Sequence, residues 1–342
     1  MSIQPTAMEQ KLPTIKEIAL RLNISVSTVS RALHNHPRIG LRTKMQVQKL
    51  AKELNYEPNT LAISFKQKKW YTIGVILPEL SEQFFSQAIS GIEDVSTSQG
   101  YNVLIGQSHE SVDREKVLVE TFRKHRVDGI ILSVSKNTED YGHLEILENY
   151  NIPVVYVDRI PKGRPTHSVS SNIASGAELA VNFLIEKGHK RIALLKGPSS
   201  LIASEQRLEG YNIALQKHKI KGDPALVREI DLSTPGTQEA IAALLALKQR
   251  PTAILCFNDY VCLDAIQYAR KEKIRINKDI SFVSFVNLPI CNYLDVPPLA
   301  SVEQHPYQQG QLAAEMLLDI IEKRKDAAEI KPLVLDAELR IF

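Results

Sequence analysis

The sequence predicts an α/β protein in which a small helical domain at the N-terminus precedes a larger body of alternating strands and helices. From residue 71 onward, short apolar runs alternate with amphipathic stretches of helical length, a pattern typical of parallel sheets built from βαβ units. Residues 14–54 instead contain apolar positions at helical spacing, interrupted by two short breaks. The length of 342 residues fits two sheets of this kind and the helical domain.

Three short helices are predicted in the N-terminal domain. Thr14, followed three residues later by a glutamate, gives a capping-box pattern for a helix over residues 15–22. Ser25 is a favourable N-cap for a second helix from about Val26 to Leu33, and a third helix fits Leu41–Leu54. Two short helices, a tight turn and a third helix form the helix-turn-helix plan of DNA-binding domains.

The net charge is unevenly distributed along the chain. It is +3 overall, but residues 1–69 contain 12 Lys and Arg against 4 Glu and no Asp, so this segment carries +8 and the remainder −5. A basic segment ahead of a mildly acidic body favours contact with a polyanion such as DNA, although a solvated basic surface is the alternative on charge alone.

Seven strands and six helices are predicted within the body. The strands are Thr72–Leu77, Tyr101–Ile105, Val127–Val134, Pro153–Val157, Arg191–Leu195, Thr252–Phe257 and Ile280–Phe285. The helices are Phe84–Ser98, Val112–His125, Gly176–Lys187, Glu205–Lys217, Gln238–Leu247 and Asp259–Lys271. A final apolar run, Pro332–Phe342, is predicted as an edge strand.

Several function classes are disfavoured by motifs that the sequence lacks. It has no P-loop, no GxGxxG after a strand, no GxSxG and no HExxH or CxxC spacing, so we expect neither an enzyme nor a cofactor nor a metal site. No apolar run approaches the roughly 18–20 residues of a membrane span, and the first residues lack the apolar core of a secretory signal. Cys256, Cys262 and Cys291 are expected to be core residues in a reducing cytoplasm.

Ten motifs occur in order along the chain: TIKEIALRLNISVSTVSRALHNHP, LNYEPNTLAISFKQKK, TIGVILPEL, VDGIILSVS, IPVVYVDR, FLIEKGHKRIALLKGP, RLEGYNIAL, CFNDYVCLDAIQYA, DISFVSF and PPLASVEQHP. They resemble the motifs of the LacI/GalR family of bacterial repressors. The resemblance covers nearly the whole chain from Thr14 onward. It implies a periplasmic-binding-protein-like body with two Rossmann-like subdomains, joined by three crossovers and holding a ligand in the cleft between them.

The resemblance also implies a domain plan and a function. Residues 1–58 would form the DNA-binding domain, 59–70 a hinge helix and linker, and 71–342 the effector-binding and dimerisation domain. The first subdomain would comprise about 71–169 and 301–330, and the second about 170–300 and 331–342.

The expected function is that of a cytoplasmic homodimeric repressor of transcription. It would bind a near-palindromic operator in double-stranded DNA under the control of a small-molecule effector, a sugar or sugar derivative. A periplasmic transport protein would share the body but not the basic N-terminal domain, and no membrane partner is expected.

By resemblance, base readout belongs to Val26, Ser27 and Arg31 on the second helix. Arg31 can bind guanine O6 and N7 with two hydrogen bonds, and Val26 can contact a thymine methyl group; a phosphate contact is the alternative for Arg31. Gly40 stands where the family usually has serine, so one hydroxyl–phosphate contact is lost. Phosphate contacts, which set register without reading sequence, are expected at Thr14, Ser25, Thr28, Ser30, Asn35 and Thr43.

The hinge segment, residues 59–66, is predicted to become helical only when DNA holds it, because so short a helix is marginal in water. Its sequence Ala62-Ile63-Ser64-Phe65 replaces the family pattern Ala-x-x-Leu, in which the leucine enters the minor groove. The resemblance places Phe65 in that role, with Ala62 at the contact between two hinge helices. Packing between the hinge helices is the alternative for Phe65.

The resemblance assigns the effector to residues at strand ends and helix starts of the body. Phe84 and Phe85 stand where the family places rings that stack on the ligand, with core packing as the alternative for each. Arg207 matches an arginine that binds ligand hydroxyls or carboxylates, with a structural salt bridge as the alternative. Asn258 and Asp259 end a strand at the carboxyl edge of a sheet, the usual ligand side; Asp259 could instead cap the next helix.

One departure from the family pattern concerns the end of the last predicted strand. Ser284-Phe285-Val286-Asn287 stands where Gly-Phe/Tyr-Asp-Asp is usual, so a ligand-binding carboxylate is missing and Asn287 is the nearest polar substitute. The cleft is therefore expected to be less polar than is usual in the family, with Asn287 on the effector.

Overall fold

The computed structural model describes residues 13–57, 69–161, 163, 166–324 and 326–342. The chain divides at residue 70 into two compact units, an N-terminal domain and a body. No helix in these ranges has the length and apolarity needed to cross a membrane.

The N-terminal domain contains three helices, α1 (Ile15–Leu22), α2 (Val26–Leu33) and α3 (Leu41–Glu53). Their predicted bounds are confirmed to within one residue. Thr14 Oγ1 and Ser25 Oγ accept hydrogen bonds from backbone N–H groups in the first turns of α1 and α2, at 3.3 and 3.1 Å, as N-caps do. Gly40 precedes α3 without a side-chain cap. The buried core that joins the helices consists of Ile18, Ala19, Val29, Ala32, Val47 and Ala51.

The body contains two six-stranded sheets. The first sheet has the order β11-β5-β4-β3-β1-β2 and is parallel throughout, and the second has the order β12-β10-β9-β8-β6-β7 and is parallel except for its edge strand β12. The strands are β1 (Thr72–Leu77), β2 (Asn102–Gln107), β3 (Gly129–Leu132), β4 (Val154–Val157), β5 (His167–Ser171), β6 (Ile192–Lys196), β7 (Val227–Glu229), β8 (Ala253–Leu255), β9 (Ser281–Phe285), β10 (Ala300–Glu303), β11 (Leu333–Leu335) and β12 (Glu338–Ile341).

Helices connect the parallel strands of both sheets. The predicted helices and strands of the body are present, with bounds that differ by four residues at most. The helices are α4 (Gln83–Ser98), α5 (Val112–Lys124), α6 (Gly142–Asn149), α7 (Ile173–Glu186), α8 (Ile202–Lys217), α9 (Thr234–Leu245), α10 (Asp259–Lys271) and α11 (Pro306–Ile321). Short 3-10 turns lie at Pro224–Leu226, Pro289–Tyr293 and Ala327–Glu329.

The subdomain boundaries differ from those expected at two points. β10 pairs with β9 and so belongs to the second sheet, although residues 301–330 were assigned to the first subdomain. The C-terminal run contains two strands instead of one: β11 pairs with β5 in the first sheet, and β12 pairs with β10 in the second. The two polar or small residues between them, Asp336 and Ala337, interrupt the apolar run and allow the chain to change sheets.

The chain therefore passes between the sheets after β5, after β10 and after β11, and hydrogen bonds join these three crossovers. Ser171 Oγ donates to the carbonyl oxygen of Gln304, and the Gln309 amide donates at 2.9 Å to Ser171 Oγ and at 2.8 Å to the same carbonyl. The Asn172 N–H donates to the Leu335 carbonyl at 2.8 Å. Any change in the angle between the subdomains must accommodate this hydrogen-bonded group.

Candidate DNA-binding helix and effector cleft

Helix α2 separates its buried and exposed residues cleanly. Val29 and Ala32 are fully buried against the other two helices of the N-terminal domain. Val26 is 41% exposed, and Ser27 and Arg31 are also exposed. The three residues expected to read bases are therefore available at the surface of one helix, as major-groove readout requires.

The residues expected at phosphates have more varied surroundings. The hydroxyl of Ser25 lies 2.8 Å from those of Ser27 and Thr28, at the N-terminus of α2, where N–H groups and the helix dipole favour an anion. Asn35 adopts a left-handed conformation (φ 54°), and its side-chain oxygen accepts a hydrogen bond from Gln48 at 3.0 Å. Thr14 is exposed, whereas Ser30 and Thr43 are half-buried. The hinge residues Ala62 and Phe65 lie outside the described residues.

A cavity of about 420 Å³ lies between the two subdomains of the body. Four of the six residues expected at the effector line it: Phe84 and Phe85 from the start of α4, Arg207 from α8, and Asn258 from the end of β8. The two phenyl rings meet edge to face, with centres 5.3 Å apart, and are also part of the first subdomain's core. Core packing and cavity lining are thus combined in both residues.

Arg207 is the most unusual side chain of this cavity, because it is 3% exposed and forms no salt bridge among the described residues, although the negative charge of Asp158 acts on it. Its Cζ lies 4.0 Å from the centre of the Phe257 ring and 4.2 Å from that of Phe285. Nη1 donates to the Ala203 carbonyl at 2.9 Å, and the buried Nε has no hydrogen-bond partner in the described part of the chain. Burial lowers the pKa of Arg207 to about 9, so it remains a cation at neutral pH.

The wall from the first subdomain carries a charged group that was not predicted. Arg159 donates to Glu110 at 2.7 and 2.9 Å, and its Nε lies 3.8 Å from the carboxylate of Asp158. Burial raises the pKa of Asp158 and of Glu82 above their usual range, while the positive charge of Arg159 opposes the rise in both. All four residues line the cavity.

A signal for part of this group was present in the sequence. Asn258 was selected because it is a polar residue after the carboxyl end of a parallel strand. Asp158 and Arg159 directly follow β4, so the same rule selects them. Phe257 follows β8 in the same way. Glu82 and Glu110 lie in the loops after β1 and β2, several residues from the strand ends and close to the next helix, and nothing in the sequence of these loops indicates that they line a cavity.

Two of the residues expected at the effector, Asp259 and Asn287, are not among the residues that line the cavity. Asp259 is fully buried and accepts hydrogen bonds from Ser284, Ser301 and the Leu288 N–H. It does not cap α10 either, because Asn258 is the N-cap, accepting from the Val261 N–H. The Asn287 amide donates to Glu303 at 2.8 Å.

Two hydrogen bonds join the walls of the cleft across its opening. The Gln83 N–H donates to the Tyr260 hydroxyl, and Lys136 Nζ donates to the Asp231 carbonyl, both at 3.4 Å. These are long hydrogen bonds, so they resist opening only weakly. Across the described ranges, no group of three or more His, Cys, Asp or Glu side chains is arranged to hold a metal ion.

Both parts of the chain match known protein families. Residues 14–59 match the family described as bacterial regulatory proteins, lacI family, and residues 70–335 match the periplasmic binding proteins and sugar binding domain of LacI family. Over 312 residues the chain is 33% identical to the HTH-type transcriptional repressor CytR of Escherichia coli K12, covering 91% of this chain and 90% of that protein. It is 31% identical over 329 residues to the repressor PurR of Vibrio atlanticus, covering 95% and 98%.

Solved structures of two transcriptional regulators have the same fold. The lac repressor dimer bound to operator and the anti-inducer ONPF superimposes with a TM-score of 0.83 at 26% identity, covering 96% of this chain and 98% of that one. A complex of the transcriptional regulator CelR with cellobiose superimposes with a TM-score of 0.73, at the same identity and coverage.

Proposed function

Because this chain belongs to the LacI family of bacterial regulatory proteins, we propose that it is a repressor whose affinity for operator DNA is controlled by a small molecule bound in the cleft. Its relatives are regulators rather than enzymes. It acts where the bacterial chromosome is, in the cytoplasm, and as a homodimer on a near-palindromic operator, since one recognition helix reads too few bases alone.

Base readout is assigned to Val26, Ser27 and Arg31, whose exposure on α2 supports the assignment. Hydroxyl and amide groups around α1, α2 and α3 would hold the phosphates. Phe65 would enter the minor groove at the centre of the operator, with Ala62 in the contact between hinge helices.

The effector is assigned to the cavity on the basis of one observation above all, the state of Arg207. A buried guanidinium with unused hydrogen-bond donors is costly, and an acceptor on a ligand would satisfy them. The facing wall supplies the phenyl rings of Phe84 and Phe85 and the carboxylates of Asp158 and Glu82, which accept hydrogen bonds from hydroxyl groups. A hydroxyl-rich ring, a sugar or sugar derivative, fits this combination of apolar faces, a buried cation with unused donors and several acceptors.

A thermal-shift screen of the full chain tests the assignment. The probes are neutral sugars including cellobiose, sugar phosphates and purines, because a specific ligand raises apparent stability by mass action. We expect at least one probe to raise the Tm, and the same probe to change the affinity for operator DNA. A probe that raises the Tm equally in Arg207→Ala would place its site elsewhere and contradict the assignment.

A further inference from the structure

Asp259 forms an anchor behind the wall of the cleft. It is the first residue of α10, and its two carboxylate oxygens accept three hydrogen bonds, one of them from Ser301 Oγ at 2.9 Å. The other two come from Ser284 Oγ and from the Leu288 N–H, the latter at 2.6 Å. Ser284 and Leu288 stand on either side of residues 285–287, so one carboxylate fixes both ends of this short turn.

The turn that Asp259 closes has a strained backbone. Val286 has a φ of 98° and Asn287 a φ of 57°, both in the left-handed region. A positive φ is a genuine outlier for a β-branched residue such as valine, and such conformations persist only when the surroundings enforce them. Two more hydrogen bonds do so here, from Val286 N–H to the Val302 carbonyl and from Asn287 N–H to Ser301 Oγ, both at 2.9 Å.

Phe285 is the last residue of β9, directly before the two residues of positive φ, and it connects this turn to the cleft. Its side chain is fully buried, and the ring centre lies 4.2 Å from Arg207 Cζ. The guanidinium has one described hydrogen bond, to Ala203, and it also contacts the rings of Phe257 and Phe285. Contact between a guanidinium and an aromatic face is worth more in a desolvated site than at a surface.

We propose that Asp259 is a positioning residue of the effector cleft: it holds the strained turn at residues 285–287, and the turn holds Phe285 against Arg207. Asp259 thus acts on the effector through two other side chains and contacts no ligand itself. The importance of this arrangement for effector binding rests on the proposed function, but the arrangement can be measured in the free protein.

The test follows the side-chain Nε–Hε signal of Arg207 in ¹H–¹⁵N spectra of the full chain without ligand, assigned by its loss in Arg207→Lys. Ring currents from two phenyl groups should move this signal upfield of those of exposed arginines, and Phe285→Leu should remove part of the shift. Asp259→Ala should move the signal toward the exposed arginines. Asp259→Asn should retain it, because the amide oxygen can accept from the Leu288 N–H while the NH₂ group donates to the two serine hydroxyls.

A matched control is available behind the opposite wall of the cavity, which Ser135 and Thr138 line. Glu115 is also a fully buried carboxylate, and it accepts hydrogen bonds from the Ser135 N–H at 2.7 Å and from Thr138. Glu115→Ala should lower the Tm as Asp259→Ala does, yet leave the Arg207 signal in place. The readout therefore separates positioning from a general loss of stability.

An Arg207 signal that stays at its wild-type position in folded Asp259→Ala would overturn the proposal. If that variant does not fold, Ser284→Ala removes a single hydrogen bond and should give a smaller shift in the same direction; an unchanged signal there would overturn the proposal equally. A signal that moves while the affinity for an identified effector stays the same would leave the positioning role intact. It would contradict the assignment of the effector to Arg207 instead.

Discussion

The guanidinium of Arg207 lies 4.2 Å from the centre of the Phe285 ring, and its Nε is buried without a hydrogen-bond partner among the described residues. The pair combines an oriented cation with an unused donor at the wall of a cavity. Because the side chain is oriented before binding, less conformational entropy is lost when a ligand binds. A ligand that carries a hydrogen-bond acceptor can also satisfy the unused donor, which favours binding.

Arg207→Ala should abolish the effector response and leave the DNA affinity of the free protein within about twofold of wild type. A ligand changes DNA affinity only through its different affinity for two conformations of the body, and this variant removes a contact on which that difference depends. The measurement is fluorescence anisotropy of labelled operator with and without effector. Normal effector sensitivity in the folded variant would refute the role of Arg207.

Asp259 should make the stability of the protein depend on pH. Burial raises the pKa of Asp259 to about 6, above its usual 3.8, so the folded state binds this proton more tightly than the unfolded state. The resulting stabilisation is complete below about pH 4 and is lost as the pH rises through 6. Each pKa unit is worth about 1.4 kcal/mol, so wild type should lose about 2 kcal/mol relative to Asp259→Asn between pH 4 and 7.

Urea unfolding of both proteins at several pH values measures this difference. The negative charge of Glu303 raises the pKa of Asp259 further, and Glu303 is present in both proteins. Parallel stability profiles for wild type and Asp259→Asn would show that Asp259 has an ordinary pKa.

Arg31→Ala should relax the base preference at one base pair in each half-site, at a cost of roughly 1–3 kcal/mol for a lost bidentate guanine contact. Affinities for an operator and its single-base variants measure this. Lys49→Ala on α3 removes the same charge without touching α2 and should weaken all sequences by a similar factor, if at all. Equal weakening of every sequence by Arg31→Ala would identify Arg31 as a phosphate contact.

Phe65→Ala should lower operator affinity and reduce DNA bending, with little effect on effector binding. A side chain that opens a base step costs a few kcal/mol of unstacking, which the contacts to bent DNA offset, and pyrimidine–purine steps deform most easily. Bend angles and affinities on operators that differ only at the central step give the answer. A variant with the full bend and the same central-step preference would mean that Phe65 only packs the hinge helices together.

Salt dependence provides a further check on the basic N-terminal segment. Each phosphate that Lys or Arg neutralises releases counterions, so affinity for the operator should fall steeply as salt rises. Binding that is insensitive to salt, or equally tight on a single half-site, would argue against a dimer that binds DNA through the basic segment, residues 1–69.

Sequence periodicity located most of the elements because their signals are local. The capping residues Thr14 and Ser25 and the apolar spacing after them determine α1 and α2. Two helices begin earlier than predicted because a polar N-cap precedes them: α7 begins after Asn172, and α9 after Ser233. Helix α8 also begins early, at Ile202, but no side-chain cap marks its start. The strand β5 was missed because its sequence, HSVSS, is mostly polar, yet tertiary burial selects it as a strand.

The sequence predicts residues of the cleft only by one rule, that polar residues after the carboxyl ends of parallel strands lie on the ligand side of the sheet. The rule located Asn258 and, applied consistently, would have located Asp158 and Arg159. It could not distinguish Asn258, which lines the cavity, from its neighbour Asp259, which points into the protein toward Ser284 and Ser301. That difference depends on pairing between distant strands, and no local pattern contains it.

The central claim is that one ligand in the cleft and one operator at the N-terminal domain are coupled through the same dimer. The direct test measures two affinities. The first is the affinity for the effector found by thermal shift, with and without saturating operator DNA. The second is the affinity for operator DNA, with and without saturating effector. Linkage requires that the two fold-changes be equal, and we expect both to lie in the range of about 5–150-fold typical of coupled sites. Operator affinity that is the same with and without bound effector would contradict the claim.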